Sequence, residues 1–398
     1  MVVFGGGYRR DFCDGLFEYN FSTRRFTKVI NTEDDAAQRP CARRSHVCVI
    51  HTQKVFLFGG RSKAGRLNDL HELDLETYNW RTIHPPSQSI SIAVQETNQT
   101  TTLEEIIKST PFLEANIYNC WLDDNPFLPH NAVPKVLDVD TNLPLCNSDS
   151  SQIRYTIDKL LRDIPCERAA HSACMYDDRW MIIYGGNSSL YDLFLDDLHA
   201  WDCDKYRWLR IQPRSQTKPR GRLGHSTIVK GHNMYLFGGY GGQALNDLWV
   251  FNFQTCHWRE VVYDFPISPS SFHAALRYND HMVIFGGSFG DQAGDVEFEQ
   301  MYALSLQTER WCTVEQAGGL DHAHPHGHEP ARRLGHAMLL HGNDLYLFAG
   351  STSCCAVGRD QDYFNDLFVA HLEPPSLKSF LCAYIHANSI PYKIRSVT

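Results

Sequence analysis

A short apolar run that ends in two small residues recurs six times along this 398-residue chain. The copies span Met1–Gly6, Val55–Gly60, Met181–Gly186, Met234–Gly239, Met282–Gly287 and Leu345–Gly350. Apart from one longer interval they lie about 50 residues apart, and self-similarity at such a period is the signature of a repeat architecture. The chain is therefore expected to fold as a series of similar units whose loops, rather than one catalytic cleft, carry the function.

Three further features accompany the copies. A histidine opens an apolar stretch before the small pair, at His46, His171, His225, His273 and His336. After the pair, an alternating segment begins with Asn-Asp-Leu or Asp-Asp-Leu, at Asn68, Asp196, Asn246 and Asn365. An aromatic residue follows, at Phe26, Trp80, Trp208, Trp258 and Trp311. Alternation with a period of two, bounded by turn residues, predicts four strands in each unit, with the glycine pair closing the second.

These features resemble the kelch motif, whose units form the blades of a β-propeller. The resemblance implies an all-β fold: a six-bladed kelch β-propeller with a partly irregular insertion and a short C-terminal helical tail. Glycine permits a close backbone bend after the second strand, and the tryptophan supplies apolar area for packing one blade on the next. The first blade lacks its own first strand, and Ala349 replaces a glycine in the sixth. Either the tail closes the ring or the chain start is incomplete.

The repeat pattern divides the chain into four segments. Residues 1–83 are predicted to form blades 1 and 2, and residues 166–373 to form blades 3 to 6. Between them, residues 84–165 are polar, have no glycine pair, and are predicted to form an insertion that is partly disordered or helical. Residues 374–398 leave the repeat and form the tail.

Composition excludes several classes of protein. The net charge of −9 argues against a nucleic-acid-binding surface, which is normally basic. No run of about 18 apolar residues predicts a transmembrane helix, and the N-terminus has no signal-peptide pattern. The 13 cysteines are scattered rather than spaced as a disulfide framework. We therefore expect a cytoplasmic protein, or one that is also nuclear, with no membrane association.

One face of the predicted ring collects basic side chains, because the loops after the glycine pairs and before the histidines lie at the same end of every blade. The candidate peptide-binding residues on this face are Arg44, Arg61, Arg66, Arg168, Arg222, Tyr240, Ser288 and Arg333. Guanidinium groups bind carboxylates in a bidentate manner, which favours an anionic peptide or protein partner. The alternative is that arginines three residues before a histidine belong to the repeat and brace loops.

The string Gly-Gly-Arg61-Ser-Lys-Ala-Gly-Arg66-Leu-Asn-Asp is similar to a blade of kelch receptors that recognise the C-terminal end of their substrates. In those receptors, two corresponding arginines bind the terminal carboxylate. The resemblance implies that Arg61 and Arg66 bind a partner with a free C-terminal carboxylate.

The tail contains a helical stripe, because Leu377, Leu381 and Ile385 recur every four residues after Pro-Pro-Ser. The stripe resembles the elongin-binding box of kelch-domain ubiquitin-ligase receptors, although Leu381 occupies the usual cysteine position and Cys382 lies one residue out of register. The resemblance implies binding of elongin B–C and a cullin through Leu377, Leu381 and Ile385. The alternative is that this segment is a missing strand of blade 6 or blade 1.

No cofactor or metal site, and no catalytic residue, is predicted. The histidine-rich segment 321–329 contains Pro and Gly and lacks a fixed ligand geometry. Glu260 and Asp264 resemble the start of the Glu-x3-Asp-x3-Cys metal-binding spacing of iron-binding kelch specifier proteins of plants, but Ser268 stands at the position of the cysteine. No nucleophile–base motif or phosphate-binding loop occurs. The sequence therefore favours a non-enzymatic receptor for a peptide or protein partner, as the substrate receptor of a cullin–RING ubiquitin ligase. The alternative is a kelch scaffold for cytoskeletal or signalling proteins with no ubiquitin link.

Overall fold

The computed structural model of the chain describes residues 1–8, 11–30, 38–84, 127, 164–189, 193–289, 296–297, 301–314, 330–352 and 363–371. These residues form 28 strands, and none of them lies in a helix. No helix that could cross a membrane is therefore found in this part of the chain. The predicted insertion, apart from its ends and Phe127, and the predicted helical tail lie outside the described residues. Their boundaries stay predictions.

Residues Met1–Val261 form one compact unit with four blades. Its strands are β1 (Val2–Phe4), β2 (Gly7–Tyr8), β3 (Asp11–Phe12), β4 (Leu16–Asn20), β5 (Arg25–Lys28), β6 (Val47–His51), β7 (Lys54–Ser62), β8 (Gly65–Asp74), β9 (Trp80–His84), β10 (Ser172–Tyr176), β11 (Trp180–Tyr184), β12 (Asn187–Ser188), β13 (Leu193–Phe194), β14 (Leu198–Asp202), β15 (Arg207–Ile211), β16 (Ser226–Lys230), β17 (Asn233–Tyr240), β18 (Ala244–Asn252) and β19 (His257–Val261). Blades 2, 3 and 4 are antiparallel sheets in the orders β6-β7-β8-β9, β10-β11-β14-β15 and β16-β17-β18-β19.

Residues Val262–Thr398 form the second unit, which contains blades 5 and 6. Its strands are β20 (Ala274–Tyr278), β21 (His281–Phe285), β22 (Ser288–Phe289), β23 (Val296–Glu297), β24 (Met301–Ser305), β25 (Trp311–Thr313), β26 (Ala337–His341), β27 (Asp344–Phe348) and β28 (Leu367–His371). Blade 5 has the order β20-β21-β24-β25, and the described part of blade 6 has the order β26-β27-β28. The chain thus repeats one blade sheet six times, as the sequence predicts.

The glycine pair marks a change of register rather than always the end of a strand. In blade 2, β7 continues through the pair, and its pairing with β8 shifts between Phe58 and Gly60. Gly59 and Gly60 have φ values of 64° and 97°, a region that favours glycine. In blades 3 and 5 the pair instead separates the second strand from a two-stranded hairpin, β12–β13 or β22–β23. The expectation that the pair closes the strand therefore holds only for some blades.

Aromatic pairs join successive blades of the first unit. The aromatic residue before each glycine pair packs against the fourth-strand tryptophan of the next blade. The ring centroids are 5.1 Å apart for Phe4–Trp80, 5.0 Å for Phe58–Trp208 and 5.4 Å for Tyr184–Trp258. Such pairs contribute about 0.5–1.5 kcal/mol beyond the area that they bury. The predicted role of the tryptophan in packing blade on blade is confirmed for these three pairs.

Backbone hydrogen bonds make a second link between blades. The amide of the second glycine donates to the carbonyl oxygen of an arginine that precedes the first strand of the next blade. These bonds are Gly6–Arg43 (2.9 Å), Gly60–Arg168 (2.9 Å), Gly186–Arg222 (2.8 Å) and Gly287–Arg333 (2.9 Å). The first glycine of the pair lies against the same arginine, because a Cβ added to Gly185 would lie 2.7 Å from the carbonyl oxygen of Arg222. Glycine is therefore required where two blades meet.

Blade 1 begins at its second strand, as predicted, and has the order β1-β4-β5. No described residue occupies its first-strand position, which would lie beside β6 of blade 2. Ile50 in β6 is 62% exposed, whereas Met175 and Val229, at the equivalent positions of blades 3 and 4, pack against the cores between blades. Among the described residues, the first-strand position of blade 1 therefore leaves apolar surface of blade 2 uncovered.

Phe127, a residue of the predicted insertion, is buried in the core between blades 3 and 4. Its ring lies 5.3 Å from that of Trp180 and 6.1 Å from that of Phe253, and its carbonyl oxygen accepts a hydrogen bond from the thiol of Cys256. Phe253 and Cys256 lie in a turn opposite the glycine pairs, and Trp180 begins strand β11 at that same end. The chain therefore passes from the glycine-pair end of the blades at His84 to the opposite end at residue 127.

Candidate functional site

Four arginines that precede the first strands of blades 2, 3, 4 and 6 share the same surroundings. The four are fully buried: Arg43, Arg168, Arg222 and Arg333. In blade 2, the terminal nitrogens of Arg43 donate to the two carboxylate oxygens of Asp69, at 2.6 and 2.8 Å, and Nη1 also donates to the carbonyl oxygen of Gly59. The equivalent partners in the other blades are Asp197, Asp247 and Asp366. We name these four ion pairs the joint pairs.

The joint pairs of blades 2 and 3 keep a buried and a half-buried carboxylate ionised. Burial acts to raise the pKa of Asp69, but hydrogen bonds from His71 and Arg43 outweigh burial and hold that pKa well below its usual range. Burial also acts to raise the pKa of Asp197, and the charge and hydrogen bonds of Arg168 lower it by more. Removing one member of such a pair leaves an uncompensated buried charge. The joint pairs are therefore structural elements within the four blades that contain them.

This placement corrects the prediction for three candidate peptide-binding arginines. The guanidinium groups of Arg168, Arg222 and Arg333 are fully buried, and both terminal nitrogens of each group donate to the carboxylate of one aspartate. The rings of Phe364 and Phe368 also cover the guanidinium of Arg333, at 4.4 and 5.1 Å. These side chains cannot reach a ligand in this structure. They brace the blades, which is the alternative that their position in the repeat allowed.

A second set of positions follows the joint positions in the chain. In each of blades 2 to 6, the next residue forms an antiparallel bridge with the residue after the glycine pair. The bridges are Arg44–Arg61, Ala169–Asn187, Leu223–Tyr240, Ser271–Ser288 and Leu334–Ser351. We name them the rim pairs. Because the positions are equivalent, their side chains determine how the rim differs between blades, and among these five only the pair of blade 2 is charged.

Three arginines form a row at the rim of blade 2. The backbones of Arg44 and Arg61 exchange two hydrogen bonds, at 3.0 and 2.8 Å, and Arg61 pairs with Arg66 across β7 and β8. Residues directly opposite in antiparallel strands have side chains on the same face, with Cβ atoms about 4.5–5.5 Å apart. We name this row the arginine triad. Arg44 and Arg61 are exposed, and Arg66 is half-buried.

No acidic side chain neutralises the arginine triad among the described residues. None of the three forms an ion pair there, and the buried Nε of Arg66 has no hydrogen-bond partner. Like charges directly opposite each other in a sheet are destabilising. In a chain of net charge −9, a row of unpaired guanidinium groups is a local concentration of positive charge, and guanidinium groups bind carboxylates in a bidentate manner.

Blade 1 supports one end of the arginine triad. The guanidinium carbon of Arg44 lies 5.3 Å from the centroid of the Phe12 ring. The stem of Arg44 passes Gly7, where an added Cβ would lie 3.2 Å from its Cδ. The carboxylate of Asp11, which precedes Phe12 in the chain, pairs with the exposed ammonium of Lys63 at 3.2 Å. Contact with an aromatic face leaves the in-plane N–H groups of a guanidinium free to donate.

Comparison with known proteins agrees with this repeated blade. The sequence model of the family described as "KLHDC2/KLHL20/DRC7 Kelch-repeats domain" matches residues 1–105 and 142–350. The chain belongs to the kelch-repeat family. The fold class predicted from the sequence, an all-β kelch β-propeller of six blades, is confirmed. Kelch propellers are generally scaffolds for protein–protein interaction, so the same role is supported for this kelch chain.

Curated relatives share this kelch region in proteins of different lengths. The chain is 24% identical over 378 residues to Kelch domain-containing protein 3 of Rattus norvegicus, covering 88% of this chain and 91% of the relative. It is 27% identical over 288 residues to Acyl-CoA-binding domain-containing protein 4 of Arabidopsis thaliana, covering 71% and 40%. It is 27% identical over 286 residues to Host cell factor of Drosophila melanogaster, covering 66% and 18%. The chain thus spans less than half the length of the last two relatives.

The remaining predicted rim residues lie in other kelch blades. Tyr240 is half-buried in blade 4, pairs with Leu223, and has its ring 5.6 Å from that of Phe194. Ser288 is half-buried in blade 5, where its carbonyl oxygen accepts a hydrogen bond from the amide of Ser271 at 3.0 Å and its amide donates to the carbonyl oxygen of Ser271 at 2.9 Å. Within the first unit, the arginine triad is therefore accompanied by an aromatic rim pair two blades further along the chain.

Other candidate sites stay predictions. The residues Leu377, Leu381 and Ile385 of the predicted elongin-binding segment lie outside the described part of the chain, as does the histidine-rich segment 321–329. Within the described part, no group of three or more His, Cys, Asp or Glu side chains could hold a metal ion.

Several residues on which these kelch sites depend were not among the predicted site residues. The aspartates of the joint pairs are the Asp of each Asn-Asp-Leu or Asp-Asp-Leu segment, so a repeated sequence signal existed for them. Gly7 and Phe12, which support Arg44, follow no repeated pattern. Only the fold brings them to the arginine triad.

Proposed function

We propose that this kelch chain binds a peptide at the rim of its blades and holds a free C-terminal carboxylate with Arg61 and Arg66. The observation that supports this proposal is the arginine triad, whose positive charges have no acidic partner among the described residues. A carboxylate accepts two parallel N–H donors from a guanidinium, and it would also offset the repulsion between opposed arginines. The resemblance of the Arg61–Arg66 loop to that of C-terminus-binding kelch receptors supports the same ligand.

Peptide binding would test this proposal. A random peptide library displayed with free carboxyl ends is selected on the full chain, and selected peptides are titrated in carboxylate and amide forms. Arg61→Ala and Arg66→Ala are each expected to weaken binding of the carboxylate form by about 2–5 kcal/mol. Arg210→Ala, at an exposed arginine of the outer strand β15, is the matched control and should bind normally. Equal binding of carboxylate and amide forms would place the recognition site elsewhere.

We further propose that the chain delivers its ligand to a cullin–RING ubiquitin ligase as a substrate receptor, in the cytoplasm or also in the nucleus. The support is the sequence stripe Leu377, Leu381 and Ile385, through which elongin B–C and a cullin would bind. Purified elongin B–C should be retained by the full chain and lost with Leu377→Asp, and cell fractionation tests the location. Failure of the intact chain to retain elongin B–C would end the receptor proposal.

The alternative is a non-enzymatic kelch scaffold with no ubiquitin link. The relatives support this alternative, because similar repeats occur in proteins with names as different as Host cell factor and Acyl-CoA-binding domain-containing protein 4. A scaffold would still bind a partner through the rim but would not retain elongin B–C. The elongin experiment therefore distinguishes the two roles, while the peptide experiment tests the binding site that both could use.

A further inference from the structure

We infer that Arg44 binds a second carboxylate, so that the preferred ligand is a peptide with Asp or Glu as its last or next-to-last residue. The inference rests on the proposed function, because it assigns to Arg61 and Arg66 the terminal carboxylate. It adds a selectivity that two arginines alone would not give. Three features of the rim of blade 2 support it.

The first feature is the number of guanidinium groups in the row. A terminal carboxylate has two oxygens and is satisfied by one or two bidentate donors. Arg61 and Arg66 can supply these donors from adjacent strands, which leaves Arg44 without an anion. Since Arg44 and Arg61 are directly opposite each other, their positive charges repel unless both find a counter-charge. A ligand with two carboxylates would neutralise the row more completely than a ligand with one.

The second feature is spacing. The Cβ atoms of directly opposite residues lie about 4.5–5.5 Å apart, and consecutive Cα atoms of a peptide lie about 3.8 Å apart. A carboxylate on the last or next-to-last side chain can therefore reach Arg44 while the chain terminus remains between Arg61 and Arg66. An acidic residue further from the terminus would lie beyond the row.

The third feature is the way in which Arg44 is held. Phe12 lies 5.3 Å from its guanidinium carbon, and Gly7 leaves room for its stem. The carboxylate of Asp11, next to Phe12 in the chain, has Lys63 as its partner at 3.2 Å. The orientation of Arg44 is thus limited by contacts with its face and stem, while its N–H donors remain free. Prior positioning lowers the entropy that a side chain loses on binding a ligand.

Equivalent positions in the neighbouring blades make the selectivity specific to blade 2. The first member of the rim pair is Ala169 in blade 3 and Leu223 in blade 4, and neither can bind an anion through its side chain. The second acidic group would consequently be recognised at one place only. Arg44 therefore acts as a specificity-determining residue, whereas Arg61 and Arg66 determine whether a terminus is bound at all.

The test uses peptides of one selected sequence that end in Glu or Gln, each as carboxylate and as amide, together with a pair that differs only at the next-to-last residue. Affinities are measured by fluorescence polarisation with the full chain. The wild-type protein should bind one Glu peptide at least 10-fold more tightly than its Gln match. In Arg44→Gln this ratio should fall to about 1, while the preference for carboxylate over amide persists. In Phe12→Ala the ratio should fall part of the way, and Arg210→Ala should leave it unchanged.

The outcomes separate the inference from the proposed function. If amidation weakens binding but Glu and Gln peptides bind equally, or if Arg44→Gln retains the preference for Glu, the inference is wrong and the proposed function stands. If amidation has no effect, both are wrong. Unchanged circular dichroism and thermal unfolding of Arg44→Gln would show that a lost preference does not come from loss of structure.

Discussion

Arg43 and Arg44 are neighbours in the chain, yet they have opposite environments. The guanidinium of Arg43 is fully buried and bound at both ends by Asp69. That of Arg44 is exposed, lies over Phe12, and has no acidic partner among the described residues. An arginine at the position of Arg43 recurs in blades 3, 4 and 6 as part of a joint pair. Among the five described rim pairs, an arginine like Arg44 occurs in blade 2 alone, as part of the arginine triad.

This difference shows how one residue type serves two purposes in a repeat protein. The joint pair recurs in blades 2, 3, 4 and 6, where it links the segment before the first strand to the third strand, and a buried charge is tolerated only with a close counter-charge. Rim pairs contribute little to that connection, so Ala, Leu, Ser and Arg all occur there. A charged rim pair without a partner is therefore a better indication of binding than an arginine that repeats from blade to blade.

The largest effect should separate Arg43 from Arg44. Arg43→Ala leaves Asp69 buried without its main partner, and we expect the free energy of unfolding to fall by about 3–5 kcal/mol. Arg44→Ala should change it by less than about 0.5 kcal/mol, as is usual for surface substitutions. Urea denaturation of both variants makes the comparison. Equal losses, or a loss below about 1 kcal/mol for Arg43→Ala, would contradict the structural role of the joint pair.

The next effect concerns the glycine that contacts a joint arginine. Gly185 has φ of 64°, and an added Cβ would lie 2.7 Å from the backbone carbonyl oxygen of Arg222. Gly185→Ala should therefore cost about 2–4 kcal/mol, from backbone strain together with the clash. The matched control is Gly231→Ala, at φ of 57° with no atom within 4 Å, which should cost only about 1–2 kcal/mol. Similar losses would mean that the contact between blades is unimportant.

Acid should lower the free energy of unfolding, first through buried histidines, while leaving the arginine triad charged. Burial lowers the pKa of His46 and of His273 to about 4, below the value of about 6.5 expected in the unfolded chain. Between these pH values the unfolded chain binds more protons, so the free energy of unfolding falls as the pH falls. Each histidine contributes at most about 1.4 kcal/mol per pH unit in that window.

Denaturation at pH 7, 6 and 5 measures the slope, and His46→Asn should reduce it. Below about pH 4, protonation of Asp69 and Asp197 should add to the loss, because their pKa values are lowered in the folded protein. Arginines stay charged throughout, and the carboxylates of the peptide stay ionised above about pH 5, so peptide affinity should persist from pH 7 to 5. Stability that is constant from pH 7 to 5 would contradict the buried, neutral state of these histidines.

Much of the blade architecture could be predicted from sequence because each blade repeats its own signals. The glycine pair, the Asn-Asp-Leu segment and the fourth-strand tryptophan are local, and their recurrence identifies the strands that they accompany. The bulge at Gly59 and Gly60 could not be predicted, because the same glycine pair lies within the second strand of blade 2 but follows the end of the second strand in blades 3 and 5. Phe127 contacts the core of blades 3 and 4 across about 50 residues of sequence or more, a distance at which no local pattern indicates a partner.

The candidate site was predicted only in part, for a related reason. Sequence placed Arg44, Arg61 and Arg168 at one end of the blades but could not distinguish a buried guanidinium from an exposed one. That distinction depends on an aspartate 26 or 29 residues further along the chain. It also depends on strand register, because a shift of one residue would move a side chain to the other face. The row formed by the arginine triad follows from that register.

The smallest effect should show that the arginine triad costs stability. Arg61 is opposite Arg44 on one side and Arg66 on the other, and each opposed like-charge pair is unfavourable by a few tenths of a kcal/mol up to about 1 kcal/mol. Arg61→Thr keeps a residue that suits a strand and removes both repulsions, so we expect the free energy of unfolding to rise by about 0.5 kcal/mol at low salt. Added salt should reduce this gain, because the charges are exposed and screened. A loss of stability would instead mean that Arg61 has an acidic partner within the chain, and the triad would then be a structural feature rather than a binding site.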